Sequence, residues 1–425
     1  SVGLQVYDWL AGVKKEERRK MLTIKETLQK EPLVKKQGLV GGGIYVEYRT
    51  DDARLTIEVA KKAIEQGAII ATYTKMEGFL YDEQQKVCGV TAQNILETKL
   101  FNIKAKVVIN ATGPWGDMIR KLEQHPLHKQ LVQSKGVHIV FDQSVFPLQQ
   151  AVYFDTNDGR MVFAIPRDGK TYVGTTDTFY NGNLSDICIE QEDRAYLIEA
   201  IRYMFPTVDI KEGDIESSWA GVRPLIHEEG KSPSEISRKD EIWESPSGLI
   251  TIAGGKLTGY RKMAEVIVNH VVKNFTDRKL RPCITKRLPL SGGEVGGSKY
   301  FEQYVQRKAQ LGVQYGISLE ESAKLVKYYG SNVEQVFAYL QVNHPILPKI
   351  LYAQLQYGIE HEFVVHPADF FIRRTSSLFF DINTVKKYME AVLEEMQTTL
   401  GWSTEQRTIY THELQAEIVR ATTSR

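Results

Sequence analysis

GLITIAGGKLTGYRKMAE, residues 248–265, reads as a strand, a glycine pair and a helix in that order. Leu249, Ile250, Ile252 and Ala253 form a short apolar run of the kind a buried strand shows. Gly254 and Gly255 allow a sharp turn and close approach to another molecule. A helix begins near Leu257, with Tyr260, Met263, Ala264, Ile267 and Val268 at helical spacing. A strand feeding a helix through glycines aims unpaired N–H groups and the positive helix end at one point. That is a site for an anion or an electron-rich ring edge, with Lys256 beside it. The alternative is a tight turn with a solvated lysine.

The 425 residues carry 54 Lys+Arg against 53 Asp+Glu, a net charge of +1. This length suggests two or three domains, and the charge balance gives no argument for nucleic acid as a partner. Cys88, Cys188 and Cys283 are odd in number and lack paired spacing, which favours a reducing cytosol without a disulfide framework. No stretch approaches the roughly 20 apolar residues of a membrane span. The first twenty residues are too polar for a secretory signal, and the chain starts without Met.

Upstream of the opening stretch, residues 4–31 predict a helix containing the solvated KKEERRK run and closed by Pro32. Gly41-Gly42-Gly43 precedes the β-like IYVEY and not a helix, so it reads as a turn. Asp51 and Asp52 cap a helix over 53–66, with Gly67 at its C′ position. AIIATYTKMEGFLYD and VCGVTAQNI suggest a meander. Residues 107–110 then form a buried strand that exits into Ala111-Thr112-Gly113-Pro114-Trp115, a place where α/β sheets bind ligands. Residues 137–180 are strand-rich, with Asp-Gly turns at 158–159 and 168–169 that mark hairpins. A helix over 190–204, WAGVRPL and a polar loop at 227–239 complete this antiparallel part.

The reading is α/β plus α+β. Residues 1–120 and 246–275 belong to a Rossmann-like cofactor domain, 121–245 to an inserted antiparallel-sheet substrate domain, and 276–298 to a linker. The glycines of SGGEVGGSKYF lack a preceding parallel-strand unit. From 299 to 425 the chain reads as all-α, with capping boxes at Ser318–Glu321 and Ser403–Gln406 and a helix after Asp381.

Four polar residues stand beside glycines or within apolar runs: His138, Arg223, Arg238 and Lys256. Singly, each reads as a core hydrogen bond or a surface ion pair. Together they suit a small anionic substrate. Arg grips phosphate bidentately, His exchanges protons near neutrality, and Lys stabilises charge on a reduced ring. A metal centre has no support: His125 and His128 flank Pro126, and no further ligand follows at motif spacing. G-x-S-x-G, C-x-x-C and G-x-x-x-x-G-K-[ST] are all missing.

TDDARL at 50–55, NATGPW at 110–115, SKGVHIV at 134–140, FAIPRDGKTYVGTTDTFYNG at 163–182, AGVRPL at 220–225, GGKLTGYRKMAE at 254–265 and RRT at 373–375 form an ordered series. With these blocks the chain resembles the FAD-dependent respiratory glycerol-3-phosphate dehydrogenases of the D-amino-acid-oxidase-like flavoprotein group. The resemblance implies FAD, and oxidation of sn-glycerol 3-phosphate to dihydroxyacetone phosphate by hydride transfer to the flavin. Arg223 and Arg238 would hold the substrate phosphate. His138 and Lys256 would lie near the reacting carbon, with His138 as base and Arg223 as electrostatic partner. Thr112, Gly113, Gly255, Lys256, Leu257 and Thr258 would contact FAD. Electrons would pass to a membrane quinone from a cytoplasmic enzyme bound peripherally at the inner face of the cell membrane, with a homodimer as a further candidate state.

Two departures stand out. The family's G-x-G-x-x-G turn and a further substrate arginine do not occur in these residues, which implies weak FAD binding. Gly259 stands where the family has Thr in LTTYR. An oxidase that releases hydrogen peroxide, and a non-catalytic binding or assembly module, remain the alternative readings.

Overall fold

The computed structural model describes residues 19–47, 49–123, 129–228, 230, 236, 239–273, 275 and 280–425. Most of the helix expected over 4–31 lies outside these residues. The described part is strand β1 (Lys20–Leu22), paired antiparallel with β2 (Gly42–Ile44), followed by helix α1 (Ile24–Lys30). Thr23 stops any continuous helix: its side chain caps α1, and Glu26 answers in a reciprocal capping box. Helix α2 (Asp52–Glu65) has Asp51 as its N-cap, and Gly67 follows at φ +92°.

A three-stranded antiparallel meander follows: β3 (Thr74–Tyr81), β4 (Val87–Asn94) and β5 (Lys99–Lys104). Strand β5 was not expected from the sequence. Its KLFNIK lacks polar–apolar alternation, and all six residues are exposed. Strand β6 (Ile109–Asn110) is shorter and less buried than expected, with Ile109 40 % exposed. Among the described residues it pairs along one flank only, in parallel with Ile250 and Thr251 of β14 (Ile250–Gly254), and it leads into helix α3 (Gly116–Lys121). Strand β13 (Asp240–Glu244) pairs antiparallel with the other side of β14.

Between these parallel strands in sequence lies a six-stranded antiparallel sheet. Its long strand β7 (Leu131–Asp142) pairs along one edge with β12 (Ile215–Ile226). Along the other edge it pairs with β10 (Lys170–Gly174) and β11 (Thr178–Tyr180); β9 (Met161–Arg167) and β8 (Val152–Asp155) continue outward. Asp168 and Gly169, at φ +52° and +81°, make the tight β9–β10 turn.

One face of this sheet is core. Val137, Ile139 and Phe141 point to Leu197, Ile201 and Phe205 around helix α4 (Gln191–Met204), and each fully buried side chain of this kind contributes about 1.5–3 kcal/mol. Lys135 on the same face clamps the start of α4 through Asp193 Oδ2 at 2.7 Å and Glu190 Oε2 at 2.9 Å.

After β14, a single 3-10 turn (Leu257–Gly259) opens helix α5 (Tyr260–Val272). Only Ile267 of its apolar stripe is buried, and Val268 is exposed. The C-terminal part is helical: α6 (Phe301–Val313), α7 (Leu319–Tyr329), α8 (Val333–Tyr339), α9 (Lys349–His361), α10 (Ser377–Phe380), α11 (Ile382–Leu400) and α12 (Thr404–Thr422), around two apolar clusters. Ser318 and Ser403 form the capping boxes that their sequence pattern predicts.

The helical part joins the rest through buried charge. Arg54 of α2 grips Glu362 with two hydrogen bonds, at 2.6 and 2.7 Å, and Arg374 Nε donates to the Glu362 carbonyl at 2.7 Å. The TDDARL and RRT blocks therefore meet at one residue.

Candidate active site

The second face of the six-stranded sheet carries His138 and Arg223. In antiparallel register, Trp219 lies opposite His138, Gly221 opposite Gly136, and Arg223 opposite Ser134. Directly opposed residues share a face, as do residues two apart along a strand. Two charged or titratable rows are thus separated by a row of two glycines. The guanidinium lies over Gly136, where an added Cβ would meet Arg223 Nη1 at 2.9 Å and Nη2 at 3.1 Å. On the β10 side, Gly174 makes room for the imidazole: a Cβ there would come within 2.4 Å of His138 Cδ2.

His138 stacks on Trp219, with ring centroids 4.7 Å apart and planes 10° from parallel, while Phe163 and Tyr172 flank it. Its Nδ1 is buried without a hydrogen-bond partner among the described residues. Burial, and secondarily the positive charge of Arg223, push the imidazole pKa down to about 3. This corrects the expectation of a pKa near neutrality. The ring is neutral across physiological pH and accepts a proton only weakly in this environment. Arg223 Nη1 donates to Asp177 Oδ1 at 2.8 Å, and Ser134 Oγ donates to the same oxygen at 3.2 Å.

A second cluster forms at the carboxyl ends of the parallel strands β6 and β14. Asn110 organises it: its Nδ2 donates to Gly116 O at 3.0 Å and to Thr251 Oγ1 at 3.3 Å, while Oδ1 accepts from Thr112 Oγ1 at 2.7 Å. Gly254 and Gly255, at φ +72° and +86°, serve contacts within the chain and not only an outside molecule. A Cβ at 254 would meet Lys239 O at 2.2 Å, and one at 255 would meet Met263 Sδ at 2.6 Å. The open edge belongs to Gly113, at φ +57° with nothing within 4 Å of a Cβ position, facing outward beside exposed Thr112. Lys256, Leu257 and Thr258 are exposed on the other turn. These open backbone edges and the lysine fit an electron-rich cofactor ring.

Gln133 connects the two clusters. It lies opposite Pro224, next to Arg223, and its Nε2 donates to Pro114 O at 3.0 Å. Leu131 N donates to Asp117 Oδ2 at 2.7 Å, and Ile226 at the end of β12 reaches Gly254. His138 and Arg223 are brought together, Thr112 and Gly113 lie beside the turn of Gly255–Thr258, and Arg238 lies outside the described residues. Asp177 and Trp219 were missed in the sequence. Asp177 sits inside GTTD and Trp219 directly before AGVRPL, but neither block says which way its side chain points. A cleft of about 1260 Å³, lined by Arg167, Lys170, Tyr328, Lys349 and Lys387, opens elsewhere and contains none of the candidate residues. No helix of the described residues is long and apolar enough to cross a membrane.

Comparison with known proteins gives the same outline. Residues 4–261 match the model of the FAD dependent oxidoreductase family, and residues 283–407 that of the C-terminal domain of alpha-glycerophosphate oxidase. The chain is 55% identical over 422 residues to the aerobic glycerol-3-phosphate dehydrogenase of Bacillus subtilis, covering 97% of this chain and 76% of that protein. Against the Staphylococcus haemolyticus protein of the same name, identity is 54% over 429 residues, covering 99% and 77%. The crystal structure of glycerol-3-phosphate dehydrogenase from Bacillus halodurans complexed with FAD superposes with a TM-score of 0.89 at 48% identity, covering 95% of this chain and 80% of that one.

Proposed function

The chain belongs to the family of FAD-dependent glycerol-3-phosphate dehydrogenases, and from that premise we propose how its own residues divide the work. It is a flavoprotein oxidoreductase that converts sn-glycerol 3-phosphate to dihydroxyacetone phosphate. The observation that carries the residue assignment is the shared sheet face, with Arg223 and His138 on either side of the Gly136–Gly221 row. That spacing suits a short phosphorylated carbon chain: Arg223 takes the phosphate, and the carbinol end lies toward His138.

FAD, held by Thr112, Gly113, Gly255, Lys256, Leu257 and Thr258, supplies the hydride acceptor when bound. His138 is neutral and accepts a hydrogen bond from the C2 hydroxyl, then its proton as the C2 hydride leaves. Arg223 and His138 are coupled in this step. A phosphate dianion on Arg223 offsets the smaller, electrostatic part of the depression, while burial, its larger cause, stays in place. Lys256 stabilises negative charge at the ring, and Arg238 adds a second phosphate contact. The parallel β6–β14 pair, bracketing the antiparallel sheet, supports dividing the chain into cofactor residues 1–120 and 246–275, substrate residues 121–245, a linker at 276–298 and helical residues 299–425.

We place the enzyme at the inner face of the cell membrane, peripherally bound and reducing a quinone; the resemblance to respiratory enzymes supports this. A homodimer is the assembly to test by light scattering. The oxidase reading draws on the family matched over 283–407. Anaerobic bleaching of the flavin by glycerol 3-phosphate tests the chemistry. Peroxide measured per substrate oxidised, with quinone present, tests the acceptor: little peroxide is expected, and a stoichiometric yield would make the enzyme an oxidase.

A further inference from the structure

We propose that Asp177 is the positioning residue that aims Arg223 at the substrate phosphate. The inference rests on the reading of Arg223 as the phosphate ligand. An arginine side chain is long and has many rotamers, so an arginine in a partly open site binds a phosphate well only when its fork is fixed beforehand. Three features fix this one. Gly136 leaves a bare stretch of β7 on which the guanidinium rests. Asp177 Oδ1 accepts from Nη1 at 2.8 Å, and the side chains are 18% and 33% exposed, respectively. Ser134, opposite Arg223 in the sheet, holds that same carboxylate oxygen at 3.2 Å, so the carboxylate is itself oriented.

The arrangement also accounts for the cost of a carboxylate near a phosphate site. Solvent reaches both groups, which screens the repulsion between carboxylate and phosphate. Fixing the fork therefore outweighs the added negative charge.

The test uses the flavin-loaded enzyme and two readouts: steady-state kinetics with glycerol 3-phosphate, and calorimetric binding of inorganic phosphate. Asp177→Asn is expected to raise both the KM and the phosphate Kd about tenfold, with kcat within about threefold of wild type, because the residue acts on binding and not on the reacting carbon. Asp177→Glu restores part of the loss. Ser134→Ala, which leaves the carboxylate but frees it, gives a smaller rise in the same direction, and these two variants carry the test if Asp177→Asn does not fold. Unchanged or lowered KM and Kd in the variants that fold would overturn the proposal. Arg223→Ala separates the two readings. If it raises KM and Kd while the Asp177 and Ser134 variants do not, positioning by Asp177 is wrong. If it too changes neither, the phosphate reading of Arg223 is wrong.

Discussion

Arg54 and Arg223 each meet a carboxylate, and the two pairs differ in almost every physical respect. Arg54 is 6% exposed and its partner Glu362 is fully buried. Lys61 reaches Glu362 at 3.4 Å, Glu58 also touches Arg54, and the rings of Tyr328 and Tyr329 lie about 5 Å from the guanidinium. Burial opposes the charge on Arg54, but the Glu362 carboxylate more than offsets it and holds the pKa above the ordinary arginine value. Arg223 lies partly exposed on a sheet face, resting on a glycine and beside a carboxylate that solvent also reaches. A closed, many-sided network is suited to holding two parts of a chain together. An arginine whose side chain is one-third exposed on a sheet face is suited to meeting an anion.

The contrast breaks most visibly at Glu362. Replacing it with Ala removes the two hydrogen bonds it accepts from buried Arg54 and leaves Glu58 as the remaining carboxylate, which costs about 1.5–3 kcal/mol. Denaturant unfolding should register that loss while the folded enzyme keeps its KM for glycerol 3-phosphate; a loss below about 1 kcal/mol would mean the seam is not the joint described. Gly136→Ala tests the other pair. The Cβ would meet Thr175 Oγ1 at 2.5 Å as well as the guanidinium, so both side chains must shift and some stability is lost, and KM should rise about tenfold. An unchanged KM would show that the seat of Arg223 is unimportant.

A further effect concerns pH. The folded pKa of His138, about 3, lies below the unfolded value of about 6.5. In that window the unfolded chain binds a proton that the folded chain does not, so stability is complete above pH 6.5 and declines as the pH falls toward 3. His138→Gln should flatten this decline in unfolding midpoints between pH 6.5 and 4. Identical slopes would contradict the desolvated, neutral imidazole.

The elements legible in the sequence were those with local causes. The Asp168-Gly169 turn, the capping boxes at Ser318 and Ser403 and the strand–glycine–helix run at 250–272 each follow from adjacent residues. Strand β5 was hidden because its exposure pattern has no period, and in the described part of the helix expected over 4–31 a strand at 20–22 and a cap at Thr23 precede a helix confined to 24–30. Non-local causes were invisible. TDDARL was recognisable as a block, yet the partner of Arg54 lies 308 residues away. His138 and Arg223 were singled out, but the depressed pKa of the imidazole comes from Trp219, Gly174 and Arg223 closing around it. Asp177, 46 residues from Arg223, was missed for the same reason.

The central claim is that Arg223 reads the phosphate. The direct measurement is kcat/KM of the flavin-loaded wild type and Arg223→Ala with glycerol 3-phosphate and with glycerol. Loss of a charge-assisted phosphate contact should lower the value for glycerol 3-phosphate about 100-fold and leave the slow glycerol reaction within about twofold. An equal fall for both substrates, or no fall for the phosphorylated one, would contradict the account.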